Sequence, residues 1–233
     1  MRLFKFLLAC ALIPALGSTI HFGAQFVTDA MSLKTLPWAK MGWFGGGVAV
    51  WLVVYLTMSR PSRLYVFGHE LTHAMAVWLS GGTISGFKVN KASGEVRANK
   101  MSAWIALAPY ILPLYPIVIG VIWLILIWNW PQTKAYEPWF IFLWGASWSF
   151  HFCFTLSLLK TDQPDFASQG YFFSFTIISL SNCWILITLL WLGLGVYTFP
   201  QGMTMMGHIL QQDYARLGAW MLQGVEYFFA ILK

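Results

Sequence analysis

Charge is what this sequence has least of. Of its 233 residues only 9% are charged, 14 basic and 8 acidic. A soluble domain carries about 25%. So few charges cannot coat a water-soluble surface of this size, which excludes an ordinary soluble globule and a disordered chain. Cysteine is scarce as well. Cys10, Cys153 and Cys183 lie in apolar stretches without C-x-x-C spacing, which excludes a disulfide scaffold and reads them as small apolar side chains. There is no internal repeat, no low-complexity tract and no nucleic-acid-binding motif. The formal charge of +6 therefore points to anionic lipid headgroups as the partner of the basic residues, not to nucleic acid.

What is abundant is apolar surface: 58% hydrophobic and 18% aromatic residues, with a mean hydropathy of +0.65. Crossing the hydrocarbon as a helix takes about 20 apolar residues. Candidate spans are 4–20, 41–58, 102–128, 138–159 and 171–197. The expected fold is an all-α multi-pass membrane protein of about five to six helices in a single membrane domain, 1–233. It comprises an N-terminal helix pair (4–58), a core over about 60–180 and a C-terminal amphipathic segment (215–231) lying at the interface. Arg2 and Lys5 ahead of an apolar run resemble a signal peptide. The run continues to Ile20, which favours a first membrane helix. Trp128, Trp130, Tyr136 and Trp139 fall near span ends, where headgroup-level anchoring suffices as an explanation.

Two breaks interrupt the apolar pattern. Residues 81–100 alternate Phe87 and Val89 with Lys88 and Asn90, turn at Ser93-Gly94 and resume at Val96, which predicts a short β-hairpin. Residues 160–170 are the most polar break between the last two long spans, and Pro164 argues against a regular helix there.

The segment between these spans carries Gly68-His69-Glu70-Leu71-Thr72-His73-Ala74, an H-E-x-x-H motif on a predicted helix. Residues four apart share a helical face, so His69 and His73 can present nitrogens to one metal ion. Glu70 lies on the flank of that face, placed to hold and deprotonate a water at the metal. Two imidazoles and a carboxylate within an apolar helix cost several kcal/mol unless paired or metallated.

A catalytic zinc takes three protein ligands and a water. The chain has four aspartates, Asp29, Asp162, Asp165 and Asp213, and three further histidines, His21, His151 and His208. Asp165 is the favoured third ligand because Gln163-Pro164-Asp165 forms a helix-breaking turn. Irregular backbone is tolerated at membrane depth where it lines a buried cavity. Asp162 is the rival. His151 is either an auxiliary donor near the site or, more plainly, a core histidine bonded to a carbonyl. The run Met203-Thr204-Met205-Met206-Gly207-His208 hints at soft-metal binding, but packing methionines explain it better.

In the order of these motifs the chain resembles the site-2 protease family of intramembrane zinc metalloproteases. The resemblance covers about residues 60–180: GHELTHA, a glycine-rich β-like stretch, Ala106-Leu107-Ala108-Pro109 opening a long span, then Gln163-Pro164-Asp165. The family's second motif is Asn-Pro-x-Asp-Gly or Leu-Asp-Gly; here Phe166 follows the aspartate and Gln163 stands in the asparagine position. The resemblance implies zinc bound by His69, His73 and Asp165, Glu70 as general base, and a substrate that is a membrane helix of another protein. Non-enzymatic alternatives are a scaffold or regulator that keeps the metal site, or an ion transporter.

Arg2 and Lys5 before the first span, and Arg60 and Arg63 after the second, indicate the cytoplasmic side. The expected location is the cytoplasmic (inner) membrane of a prokaryote, with the site nearer the cytoplasm. His69 would then lie about 10 Å deep, at 1.5 Å per helical residue. Full crossing by 64–80, 102–128 and 138–159 would leave residue 160 on the face opposite His69. Either 64–80 or 138–159 crosses incompletely, or 160–169 turns back into the bilayer. The basic stretch 88–100 favours a partial or re-entrant 64–80.

Overall fold

Nine helices and one hairpin account for nearly all of the residues described in the computed structural model, which are 2–32, 37–58, 62–90, 93–194 and 196–231. In chain order they are α1 (Arg2–Ser32), α2 (Trp38–Thr57), α3 (Ser62–Leu79), β1 (Ile84–Val89), β2 (Gly94–Ala98), α4 (Ala103–Ile111), α5 (Leu114–Asn129), a 3₁₀ turn (Pro131–Tyr136), α6 (Glu137–Leu159), α7 (Pro164–Gln169), α8 (Tyr171–Leu194) and α9 (Phe199–Ile231). Arg60, used above for orientation, lies outside the described residues.

The helices follow the apolar runs. Four of them are long and apolar enough to cross a membrane: α1, α2, α6 with its preceding turn, and α8. A fifth candidate is the pair α4 and α5, bent by 68°. The expected single span over 102–128 is therefore broken. Pro113 is the cause, because a residue before proline is pushed out of the helical region. Leu112 duly adopts φ −90° and ψ 113°, ending α4. The 18-residue α3 is not among the candidate spans. Large apolar side chains stay exposed along α5, including Val121, Leu124, Ile125 and Trp128. A soluble monomer rarely leaves such a patch open, and the set of helices is compatible with an integral membrane protein.

The chain forms two compact units. One comprises residues 1–36 and 175–233. In it Phe22 and Phe26 of α1 pack with Trp191 of α8 and with Met206 and Ile209 of α9. Met206 thus serves as packing, and the segment 215–231 is the second half of one continuous 33-residue helix. Polar ties reinforce it: His21 Nδ1 lies 3.1 Å from Asp213 Oδ2, and the Tyr197 hydroxyl donates to Asp29.

The other unit, residues 37–174, holds every motif residue singled out above in 60–180 that it spans. Its frame is the pair α2 and α6, which meet through glycines. A Cβ on Gly47 would collide with the Phe142 carbonyl, and one on Gly145 with the Phe44 carbonyl. Small residues at such crossings let backbones approach closely. Lys40 donates to Glu137 at 2.9 Å across the same pair. On α3, Gly68, Thr72 and Ala76 recur every four residues, so one small-residue face is available for packing. Ala76 and Val77 pack against Ile105 and Ala108 of α4, and the Tyr115 ring lies over Gly68. The hairpin is antiparallel as expected, with Phe87 opposite Val96 and Val89 opposite Gly94, and an irregularity between Ile84 and Gly86.

Replacing Gly47 by Val is expected to cost about 1–3 kcal/mol through overpacking. A lower melting temperature of the detergent-purified protein would report it. Gly45→Val, where nothing stands within 4 Å, should leave the melting temperature unchanged or higher.

Candidate metal centre

The site is assembled from four elements. α3 contributes His69, Glu70 and His73. Residues 69, 73 and 77 share one helical face, and all three line a single cavity of about 550 Å³. α7 supplies Asp165. Pro164, expected to prevent a helix, instead opens one: it occupies the first turn of α7, where the missing N–H has no partner to lose. Phe166 is fully buried and packs on the Tyr110 ring at 4.5 Å between centroids. That anchor fixes the orientation of α7 and, with it, of Asp165.

Ligand atoms of His69, His73 and Asp165 all lie within 4.8 Å of one another, and this is the only group of three or more such side chains among the described residues. Asp165 Oδ2 stands 3.7 Å from His69 Nε2 and 3.4 Å from His73 Nε2. These separations exceed the 2.7–3.2 Å of ordinary N–H···O bonds. The His73 separation matches the edge of a tetrahedron around an ion with bonds of about 2.0–2.1 Å, which is about 3.3–3.4 Å, and the His69 separation is longer than that edge. The donor set of two imidazoles and one carboxylate suits a divalent transition metal.

The surrounding groups hold the ligands in place. His73 Nδ1–H donates to the Ile105 carbonyl of α4 at 2.8 Å, which fixes the ring with Nε2 facing Asp165. The Tyr110 hydroxyl, also on α4, donates to Asp165 Oδ2 at 2.8 Å. The His69 ring is boxed by Tyr65 and Tyr110, with centroids at 5.7 and 5.0 Å. His69 Nδ1 is buried with no hydrogen-bond partner among the described residues, beside a cavity of about 10 Å³, roughly the room of one water. Burial alone would raise the Asp165 pKa. The two imidazoles and the Tyr110 hydroxyl outweigh it and hold the carboxyl well below the usual carboxylate range. Asp165 is thus ionised at neutral pH, as a candidate metal ligand should be. Its contribution to stability is present above the ordinary value of 3.8 and is lost as pH falls through the lower folded-state value.

Glu70 is 7% exposed and lines the same cavity. β2 crosses directly over it: a Cβ on Gly94 would overlap Glu70 Cγ and lie 2.5 Å from Oε1. A larger residue would require Glu70 to shift. Five consecutive residues of β2, Gly94 to Ala98, line the cavity. Because alternate strand side chains point to opposite faces, the strand presents its backbone edge there. Among the described residues no third strand pairs with that edge.

The other sequence candidates lie elsewhere. Asp162 is not part of the group; its Oδ1 accepts from the Tyr171 hydroxyl at 3.3 Å. His151 is buried on α6 and borders the 10 Å³ cavity beneath His69, outside the ligand group. Sequence reasoning missed Tyr110, Phe166 and Gly94. Gly94 was visible only as a turn residue, and Tyr110 sits just past the quoted Ala106–Pro109 run. In comparisons with family models, with curated proteins and with solved structures, nothing matches this chain.

Asp165→Ala is expected to weaken metal retention by at least tenfold, and Tyr110→Phe, by loosening the ligand, by about 10–100-fold. Asp162→Ala should have no effect. Metal content by elemental analysis after dialysis against a graded chelator series reads all three.

Proposed function

We propose that the protein is a zinc-dependent endopeptidase of a membrane, acting on membrane-embedded segments of other proteins, as the resemblance to site-2 proteases implies. One observation carries the reading. Two histidines and an aspartate from separate helices meet at ligand spacing, while Glu70 beside them lines a cavity of about 550 Å³. That is the size of a ligand pocket. His69, His73 and Asp165 would hold the ion, which supplies Lewis acidity and brings the pKa of water to about 7.

The chain's own groups do the rest. Glu70 takes the proton of the attacking water and returns it to the leaving amine. Tyr110 keeps the Asp165 carboxylate from rotating toward the base. A substrate helix must unwind to expose its scissile carbonyl. The unpaired edge of β2 can take up the extended segment as an added strand, with the peptide's carbonyls bonded before they meet the base. Gly94 leaves Glu70 room beneath that strand.

With α3 not counted as a crossing, Asp165 and His69 meet without requiring α6 to stop short. The exposed apolar surface of α5 faces lipid in this reading, and the basic hairpin lies toward the cytoplasmic side.

Glu70→Gln should keep bound metal near one ion per chain and reduce cleavage of a co-expressed membrane substrate by about 10²–10⁴-fold. Full biological activity of the variant despite the loss of the base would point to a scaffold or regulator. Gly94→Ala should also retain the metal but lower turnover, by forcing Glu70 to move. Equal turnover in Gly94→Ala and the parent would show that the strand does not position the base.

A further inference from the structure

Five charged side chains line the metal-site cavity: Glu70, Glu95, Asp165, Arg97 and Lys100. Most of this charge is already matched. Asp165 is held by the two imidazoles and Tyr110. Arg97 is bound to Glu95 through two hydrogen bonds, Nε to Oε1 at 2.7 Å and a terminal nitrogen to Oε2 at 3.3 Å. Glu70 belongs to the chemistry.

Lys100 is different. Its ammonium donates one hydrogen bond, to the Ser80 carbonyl just past the end of α3, at 2.7 Å. Among the described residues no carboxylate lies within ion-pair distance of it. The position is nonetheless a defined one. The chain turns at Gly81 with φ 67°, and the ammonium packs over that glycine, 3.5 Å from where a Cβ would stand. Asn99, next to Lys100, accepts from the Thr83 amide at 2.8 Å and closes the base of the hairpin. The lysine is exposed, with two remaining donors, one anchoring hydrogen bond and a place in the wall of the cavity that holds the candidate metal ligands.

We propose that Lys100 is a subsite for a carboxylate of the bound peptide, so that the site prefers substrates with an acidic group near the scissile bond. The inference rests on the metallopeptidase reading for what occupies the cavity. The carboxylate can come from an aspartate or glutamate side chain or from a free peptide C-terminus. The first would make Lys100 a specificity determinant of an endopeptidase; the second would direct the enzyme to chain ends. Such a contact is charge-assisted and adds to binding without touching the reacting atoms.

The test uses binding, so that it does not depend on turnover. Three short peptide hydroxamates are titrated into the zinc-loaded, detergent-solubilised full chain: one with a glutamate side chain and an amidated end, one with neutral side chains and a free C-terminal carboxylate, and one neutral and amidated. We expect one of the two acidic probes to bind about tenfold more tightly than the neutral probe. In Lys100→Gln that preference should vanish, with affinity for the neutral probe and zinc content unchanged. In Lys100→Glu it should reverse. Equal affinities for all three probes in the parent protein would overturn the proposal. So would a preference that survives in Lys100→Gln, or a failure of the zinc-loaded protein to bind any probe. Failure of the peptidase reading shows separately: the carboxylate preference would be present, yet neither parent nor Glu70→Gln would cleave any substrate.

Discussion

Everything in the larger unit depends on bringing one carboxylate between two imidazoles. His69 and His73 come together for free, one helical turn apart on α3. Asp165 lies 92 residues beyond His73 and must be delivered by tertiary structure to within 3.4–3.7 Å of both. Gathering these groups where water is scarce is costly unless they are paired or share an ion. The surrounding fold can be understood as what makes that meeting permanent.

α4 is the central support. In a single nine-residue helix it provides the Ile105 carbonyl to His73, the Tyr110 hydroxyl to Asp165 and a ring against His69. The bend after Ile111 keeps this helix short and separate from the apolar α5. Phe166, buried against Tyr110, ties α7 to the same helix. A bulky apolar residue after the aspartate, where the resembled family carries glycine, thus acts here as an anchor. Behind His69, the stacked rings of Tyr65 and Phe154 at 4.4 Å, with Phe150, back the histidine's helix with rigid aromatic packing.

Much of this was legible from the residues. The long apolar runs became helices, and the alternation of 84–89 with a turn at Ser93-Gly94 became the hairpin. The i, i+4 histidines needed only helical periodicity, and the turn argument preferred Asp165 to Asp162, the arrangement seen here. Local punctuation was less legible. Counting apolar residues over 102–128 hid the break that Pro113 imposes. Pro164 was weighed as a helix breaker, although proline at a first turn starts a helix equally well. Tyr110, Phe166 and Gly94 escaped because their roles exist only through partners distant in sequence. No periodicity in a single chain announces that one tyrosine will meet a particular aspartate 55 positions on.

The bare Cα of Gly94 has a bearing on how the hairpin itself folds. Two short strands with exposed side chains on both faces have little of their own to prevent pairing one residue out of step. Over Glu70, however, any side chain at this position would force the glutamate to move. Sliding β2 by one position would press either the hydroxymethyl of Ser93 or the carboxylate of Glu95 onto the acid below, the latter setting two negative charges face to face. The close approach of Gly94 to Glu70 thus ties the register of the hairpin to the helix beneath it.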